Sequence, residues 1–415
     1  MYYTATFVPW NFRALYGLFS DSVPVFGYRR KPYLFVCNLL VSSGYLFYGI
    51  YASTVGQAFV VGVFINVFYA FSEAVIDAMS IDKVRSLFPD ATPVERMTAS
   101  ADIQSANMAF RTIGSVIAVS IAGLLSRSEY FTPRVLITIS SIFPLTMAAL
   151  SFLVSLETKS DSVNAYQKSQ TFLAYIRKCV SGEARPMAMV ETIKPVVLPA
   201  IFILMYASFP TSNVAYWNYV YTSLPFSLFD LHLISQFTMI GGLLGTLIYW
   251  VSFRKFENIR LIFVISILVA AVATCSRLLV LLAGWNSLAF ICFDEVLVNV
   301  AARITLMPVQ VYASIAASSP EHLMYEGFIF GFFASIENWG GAVSGIISGK
   351  LAGVVTLATL VIIGAVSSFF PLLGLSLLGK GSQSVPPTSA LENSEVDIKS
   401  NVDPGPQSQP KLVGV

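Results

Sequence analysis

The sequence predicts an all-α, polytopic membrane protein of about eleven transmembrane helices, and three observations support this fold class. Hydrophobic residues make up 55% of the chain and charged residues only 12%, whereas a soluble domain needs about 25% charged residues to cover its surface. Apolar runs of about 20 residues, the length that a helix needs to cross the hydrocarbon core, recur along the chain. Basic residues are also distributed unevenly among the loops that join these runs. Lipid is therefore the expected solvent.

The apolar runs are continuous, without the alternation in ten-residue segments that is typical of a membrane barrel. The predicted spans are residues 3–19, 32–51, 54–80, 101–126, 133–156, 195–216, 229–253, 260–283, 287–314, 325–350 and 354–378. The long polar stretch 157–194 is predicted to be a central loop between an N-terminal half (1–156) and a C-terminal half (195–379). The tail 380–415 is rich in Ser, Pro and acidic residues, so we expect it to be disordered.

The basic residues in the loops predict the orientation, because Lys and Arg concentrate on the cytoplasmic side. Loops on one side of the predicted bundle carry eighteen of them, and loops on the other side carry three. We therefore expect the central loop and the C-terminus in the cytoplasm and Met1 outside. The division also supports an odd number of spans, because one miscounted helix would mix the two groups.

Several functional classes find no support in the sequence. The net charge of +2 gives no reason to expect nucleic acid as a partner. The four cysteines and two histidines show no metal-ligand spacing, so neither a metal nor a cofactor is expected. A nucleophile elbow, a phosphate-binding loop and a histidine acid–base pair are all missing from the sequence. The chain is therefore not expected to be an enzyme.

Charged and polar residues inside the apolar spans are the candidates for function, because a charge in a membrane usually faces a partner or a watery cavity. Residues four apart share one face of a helix, and the candidates follow this spacing on two spans. They are Glu73 with Asp77 on the third span and Glu295, Asn299 and Arg303 on the ninth span, and a third stripe is formed by Gln104 and Arg111, seven apart on the fourth span. Polar stripes on three helices predict a solute pathway, although a purely structural ion pair would explain Glu73, Asp77 or Arg303 as well.

Other intramembrane charges have simpler explanations. Arg277 and Arg13 are close enough to predicted helix ends to extend their charged groups into the headgroup region. Asp294 and Glu295 are near the start of their helix, where capping or the helix dipole would stabilise them. Close helix packing is expected at three glycines spaced four apart, Gly341, Gly345 and Gly349.

The stretch from Pro9 to Asp21, which continues from Pro24 to Tyr33, resembles the signature of the folate–biopterin transporters, a branch of the major facilitator superfamily. A second, less specific resemblance covers 286–294, 307–308, 319–327 and 334–340. Part of the first stretch is also similar to the general loop motif of the superfamily. The residues that match this motif are Gly17, Asp21, Gly27, Arg29 and Arg30. The resemblance implies a gating role for them, as a charge latch at the cytoplasmic rim.

The resemblance implies a helical bundle of two pseudo-symmetric halves. It begins at the family's second helix, so the first helix is expected to be missing. On that alignment the third, sixth and ninth spans correspond to helices that line the central cavity. The chain departs from the family pattern at Arg13-Ala14, where Lys-Pro is frequent, and at Glu337, where Asn is frequent.

The implied function is the import of folate, biopterin or a related pteridine by proton symport with alternating access. The expected partners are this small solute, protons and the lipid bilayer, and the chain is expected to act as a monomer. The expected substrate-binding residues are Arg303, Arg111, Asn299, Asn213 and Tyr216. The expected proton-coupling residues are Asp77, Glu73 and Glu295.

Two alternatives stay open. One is a transporter of the same fold for another metabolite, such as S-adenosylmethionine, and the other is a truncated membrane paralogue that does not transport. A plasma-membrane location is expected, with an organelle membrane as the alternative.

Overall fold

A computed structural model describes residues 6–87, 92–125, 130–153, 186–254, 256, 258–318 and 325–378, with the backbone alone at 93, 94 and 186–195. These residues form helices in eleven consecutive spans, some of them in two segments. They are α1 (Val8–Phe12 as a 3-10 turn, then Arg13–Ser22), α2 (Lys31–Tyr51), α3 (Val55–Leu87), α4 (Pro93–Leu125), α5 (Pro133–Ser140 and Ile142–Leu150), α6 (Pro186–Ala207 and Asn213–Ser223), α7 (Leu228–Phe253), α8 (Ile259–Cys275 and Arg277–Ala283), α9 (Leu288–Ala317), α10 (Glu326–Ala352) and α11 (Leu357–Ser367, then Phe370–Leu377 as a 3-10 helix).

The helices follow the predicted spans in order, and the prediction of an all-α membrane bundle is confirmed. Seven of them are long and apolar enough to cross a membrane by length and composition: α2, α3, α4, α5, α7, α8 and α11. α3 and α4 each have 33 residues, which is about 50 Å of helix against a hydrocarbon core of about 30 Å. The spans predicted at 54–80 and 101–126 are therefore too short, because polar residues such as Asp82 and Arg85 continue the helix beyond the apolar run.

α6 is interrupted where a single span was predicted at 195–216. Its first segment ends at Ala207, Pro210 follows in the break, and the second segment starts at Asn213. The first segment starts at Pro186, so the predicted central loop 157–194 ends earlier than expected. The rest of that loop and the tail 380–415 are outside the described residues, and the boundary between the halves stays a prediction.

Two serines of α10 bind the backbone that the break leaves without helical partners. The Ser344 hydroxyl donates to the carbonyl of Phe209 at 2.5 Å, and the amide of Thr211 donates to Ser348 Oγ at 2.9 Å. Non-helical backbone at membrane depth is tolerated only where its polar groups find such partners. Because Ser344 and Ser348 are four residues apart, one face of α10 supplies both bonds.

The N-terminal and C-terminal spans meet mainly where α1 packs on α10 and α4 packs on α7 and α9. Along α1 the two backbones touch: a Cβ atom at Gly17 would be 2.8 Å from the amide nitrogen of Phe328 and closer still to the carbonyl of Gly327. At Gly331 a Cβ atom would be 2.6 Å from the carbonyl oxygen of Arg13. Glycine therefore allows α1 and α10 to pack without intervening side chains at these levels.

The glycines Gly341, Gly345 and Gly349 lie on a different face of α10. All three are exposed, and a Cβ atom added at any of them would meet nothing within 4 Å. The prediction that they mediate close helix packing is therefore wrong. The spacing alone gave no information about which face of α10 turns towards its neighbours.

Candidate transport site

A network of charges joins α1, α3 and α4, in which Arg13, Glu73 and Asp77 are buried and the Arg111 side chain is 40% exposed. The Arg13 guanidinium on α1 is hydrogen-bonded to Asp77 and lies 3.7 Å from Glu73, both on α3. Arg111 on α4 pairs with the other oxygen of Glu73. Glu73 and Asp77 share one helix face, as predicted, and the structure supplies an arginine from a neighbouring helix for each carboxylate. Arg13 is buried, so the expectation that it reaches the headgroup region is wrong.

Arg303 on α9 faces the same region from the C-terminal half. Its Nη1 atom is 2.9 Å from the Sδ atom of Met108, which lies on α4 three residues before Arg111. Met108 and Arg111 are three residues apart and share one face of α4, so Arg303 contacts the helix one turn before Arg111. Among the described residues no carboxylate lies within 4 Å of Arg303, and thioether sulfur is only a weak acceptor. Arg303 is thus a partly buried charge without a carboxylate to neutralise it.

A second buried network lies within the C-terminal half around Arg277. Its guanidinium is 3.3 Å from Glu295 and 3.9 Å from Asp294, both on α9. It donates to Asn213 Oδ1 at 2.5 Å and lies 4.4 Å from the centre of the Tyr216 ring, a cation–π arrangement. Arg277 is only 1% exposed, so the expectation that it reaches the headgroup region is wrong.

The predicted stripe on α9 divides between these two networks. The Asn299 amide donates to Glu295 Oε2 at 3.0 Å, and the Thr238 hydroxyl donates to the same oxygen at 3.3 Å. Glu295 and Asn299 therefore belong with Arg277, whereas Arg303 contacts α4. Ser287 caps α9 by accepting from the amide of Phe290 at 3.3 Å, so capping does not account for Asp294 or Glu295.

A third cluster lies at the end of the bundle that the sequence predicts to be cytoplasmic, and we call it the cytoplasmic-rim network. It contains Asp21, Arg29, Arg30, Asp82, Arg85 and Glu326. Arg30 is 2.5 Å from Asp21 and 3.7 Å from Glu326, and Arg29 is 3.4 Å from each of these carboxylates. Arg85 also pairs with Glu326, and Arg30 is 3.6 Å from Asp82. Asp21 Oδ2 accepts from the amide of Phe328 at 2.8 Å. Because Glu326 and Phe328 belong to α10 and the other residues to the N-terminal spans, the network ties the two groups of helices together.

The turn between α1 and α2 positions the arginines of this network. Val25 and Tyr28 exchange two backbone hydrogen bonds of 2.8 and 3.0 Å, and the two central residues have positive φ, 54° at Phe26 and 83° at Gly27. Positive φ at both positions is the geometry of a tight hairpin turn, and glycine adopts it without steric cost. Gly27 thus reverses the chain so that Arg29 and Arg30 return towards Asp21.

One further contact between the two groups of helices was not predicted from the sequence. Asp102 on α4 accepts from the Trp250 indole at 2.8 Å and pairs with Arg254 at 3.2 Å, both of the α7 side. Arg254 also lies over the Trp250 ring at 4.7 Å. Four-residue spacing of Trp250 and Arg254 was the available signal. The role of Glu326 was also not predicted, because this residue was noted only as part of the stretch 319–327 that resembles the family.

Comparison with known proteins assigns the chain to a family. The model of the BT1 family matches residues 1–385. The chain belongs to the BT1 family. Similar curated proteins include the folate-biopterin transporter of Synechocystis sp., 26% identical over 405 residues that cover 94% of this chain and 76% of the relative. Folate transporter 1 of Plasmodium falciparum is 22% identical over 399 residues, which cover 91% of this chain and 71% of that relative.

Solved structures confirm the fold of this BT1 family member. The proton:xylose symporter XylE, a major facilitator superfamily protein, matches with a TM-score of 0.62 at 13% identity, over 89% of this chain and 83% of XylE. The human organic anion transporter MFSD10 matches with a TM-score of 0.59 at 12% identity, over 90% of this chain and 82% of MFSD10. The chain therefore has the major facilitator fold and is an integral, multi-pass membrane protein of a transporter family.

Proposed function

We propose that this protein imports folate, biopterin or a related pteridine by proton symport, with the carboxylates of an anionic solute bound between Arg303 and Arg111. The observation that carries the proposal is the Arg303 guanidinium, which has no carboxylate within 4 Å among the described residues and contacts Met108, one turn before Arg111 on α4. The names of the BT1 relatives support the class of solute. S-adenosylmethionine remains the comparison solute of another class.

Charge balance supports an anionic solute at this place. Among the described residues, the carboxylates within 4 Å of Arg13, Arg111 and Arg303 are those of Glu73 and Asp77, so three positive charges meet two negative ones. A charge at membrane depth is costly when it has no partner. A guanidinium matches a carboxylate in a two-pronged geometry that single-point donors do not reproduce. A solute carboxylate would therefore stabilise Arg303 more than it would stabilise a lysine at the same position.

The remaining predicted solute contacts are proposed to form in a later step of the transport cycle. Asn213 and Tyr216 both contact Arg277, and Asn299 contacts Glu295. For these side chains to meet the solute, the Arg277 network has to rearrange. The proposal accordingly places the first contact on Arg303 and Arg111.

Alternating access requires an interface that closes on one side and opens on the other. We assign this role to the cytoplasmic-rim network, including Gly17 and Gly27, because its buried ion pairs span α10 and the N-terminal helices. We further propose that the protein acts as a monomer in the plasma membrane, which a fluorescent fusion and its size in mild detergent would test. Asp77, Glu73 and Glu295 are proposed as proton-coupling acids, although each now has an arginine partner.

The test is the uptake of labelled folate, biopterin and S-adenosylmethionine, at neutral and acidic external pH, by cells that express the chain. Saturable uptake of folate that rises in acid supports the proposal. Uptake of S-adenosylmethionine alone would identify that metabolite as the solute in place of a pteridine. No uptake by a chain that is shown to reach the membrane would refute the proposal.

Arg303→Gln tests the binding site within the same assay. Loss of a hydrogen bond to a charged group costs about 1.5–3 kcal/mol, which corresponds to a roughly 10- to 150-fold weaker apparent affinity for folate. Biopterin carries no carboxylate, so its uptake should change much less. Arg134→Gln, which removes an exposed arginine at the start of α5, is the matched control. Equal losses for folate and biopterin would contradict the assignment of Arg303 to the carboxylate.

A further inference from the structure

A cavity of about 420 Å³ lies in the C-terminal half beside the break in α6, apart from the Arg303 and Arg111 pair. It is lined by α6, α8, α9, α10 and α11. Polar side chains in this lining include Tyr206, Asn213, Thr274, Thr305, Glu337 and Ser368. Glu337 is the only carboxyl group in this lining among the residues that the structure describes. The other polar groups are hydroxyls and an amide, which can carry water but do not change charge in the physiological range.

Glu337 differs from the other acidic side chains described in the helices. Those either pair with an arginine within 4 Å or, as Glu95 and Asp230 do, cap a helix at its first turn. No basic side chain lies within that distance of Glu337 in the described part of the chain. An ionised carboxylate at membrane depth without a partner is costly. Within the described residues, Glu337 therefore has no cation close enough to hold it in the charged form.

The groups around Glu337 tolerate both protonation states. Thr274 of α8, Thr305 of α9 and Ser368 of α11 line the same cavity as Glu337. A hydroxyl can donate to a carboxylate or accept from a carboxylic acid. Tyr206 of α6 lines the cavity as well, and its hydroxyl donates to the carbonyl of Thr305 at 3.1 Å. The lining residues of α8 and α11 carry no charge.

Arg13 of α1 precedes Ala14, whose amide donates to Ser335, two residues before Glu337. The Arg13 guanidinium is bound by Asp77 and Glu73 of α3, and Glu73 also binds Arg111. One charge of the proposed solute site, Arg13, is thus on the helix that packs against this part of α10.

Glu337 also lies at the contact between α10 and α1. Its neighbour Asn338 donates to the carbonyl of Trp10 at 2.9 Å, and the amide of Ala14 donates to Ser335 Oγ at 3.0 Å. A change of charge at Glu337 is therefore felt where the N-terminal and C-terminal helices meet. The sequence contained the signal, an acid where the family frequently has Asn, but no role followed from it.

We propose that Glu337 is the proton-binding carboxyl of the transport cycle, loaded through the cavity beside the α6 break. The carboxylate accepts one proton from a hydronium ion of external water and later returns it to cytoplasmic water. This inference rests on the proposed symport, since it names the group that would carry the proton. Asp77, Glu73 and Glu295 each pair with an arginine, whereas Glu337 has no arginine within 4 Å in the described part of the chain.

Glu337→Gln removes the titratable carboxyl group, while the glutamine side chain keeps the shape and can still form hydrogen bonds. The ratio of folate uptake at acidic to neutral external pH is expected to fall to about one, from whatever value the unaltered protein shows. Glu337→Asp restores an ionisable group and is expected to recover part of the ratio. Asp230→Asn is the matched control, because Asp230 is an acid at a helix end, and it should keep the full ratio. A Glu337→Gln protein with an unchanged ratio would overturn the proposal.

Infrared titration of the purified full chain in lipid supplies a readout that does not depend on transport. The exposed acids among the 23 Asp and Glu residues also gain a carboxylic-acid absorption as pH falls. The expected signal is therefore the component that comes from a carboxyl shielded from water, which is missing in Glu337→Gln and present in Asp230→Asn. The same absorption in all three proteins would overturn the proposal. If uptake by the unaltered protein does not respond to pH while the infrared band follows Glu337, then the symport fails and Glu337 stands as a protonation site.

Discussion

Replacing Gly17 by alanine tests the idea that close approach of α1 and α10 keeps the cytoplasmic side shut. The new Cβ atom would be 2.8 Å from the Phe328 amide nitrogen and closer to the Gly327 carbonyl, whereas ordinary carbon contacts are about 3.5–4.0 Å. Both neighbours are backbone, so no side chain can turn away and the helices must separate. Overpacking of this kind costs about 1–3 kcal/mol. The closed arrangement carries that cost and the arrangement with separated helices does not, so the open population should rise about 5- to 150-fold.

A single cysteine at position 22 provides the assay. Ser22 is buried at the end of α1, and its hydroxyl has no hydrogen-bond partner among the described residues, so Ser22→Cys removes no described contact of that kind. In a background with the four native cysteines replaced, the rate of alkylation from the cytoplasmic side should rise with Gly17→Ala by the factor above. Gly341→Ala is the control, because its Cβ atom would meet nothing within 4 Å. Equal alkylation rates in the two variants would refute the closure argument.

Two further predictions concern the buried charges. Asp77→Asn removes the carboxylate that holds Arg13, and uptake is expected to lose its stimulation by acid; a pH profile that matches the unaltered protein would remove Asp77 from proton coupling. Arg277→Gln leaves Asp294 and Glu295 as buried carboxylates without a cation, which should destabilise the protein by about 3–5 kcal/mol. Thermal unfolding in detergent measures this loss, and neutralising both acids in the same chain should restore most of it; no recovery would show that Arg277 acts by other means.

Hydropathy was sufficient for the helices because apolar length is a local property of the chain. It was insufficient where the helix is longer than the apolar run, as at Asp82 and Arg85, which continue α3 beyond it. It also failed at the break in α6. There the decisive groups are Ser344 and Ser348 on a distant helix, whose hydroxyls bind the freed backbone, and no local pattern announces them.

The candidate site divides along the same line. Four-residue spacing correctly put Glu73 and Asp77 on one face, because that follows from helix geometry. The arginines that pair with these carboxylates come from α1 and α4, and these pairs depend on how the helices pack. Arg277 illustrates the limit best: its short distance from a helix end predicted a headgroup contact, whereas the side chain turns inward to Glu295.

The two contacts between the N-terminal and C-terminal helices are built to different strengths, and this difference bears on how the bundle opens. Along α1 and α10, backbone touches backbone and the charged side chains of Asp21, Arg30 and Glu326 are buried. Separating them would leave charges without partners, a cost that grows steeply as water is excluded. Between α4 and α7 the main polar contact is Asp102 with Arg254, whose side chains are 41% and 30% exposed. An ion pair this exposed contributes about 0–1 kcal/mol. Opening should therefore begin at α4 and α7, with the rim network on α1 and α10 yielding last and setting the height of the barrier.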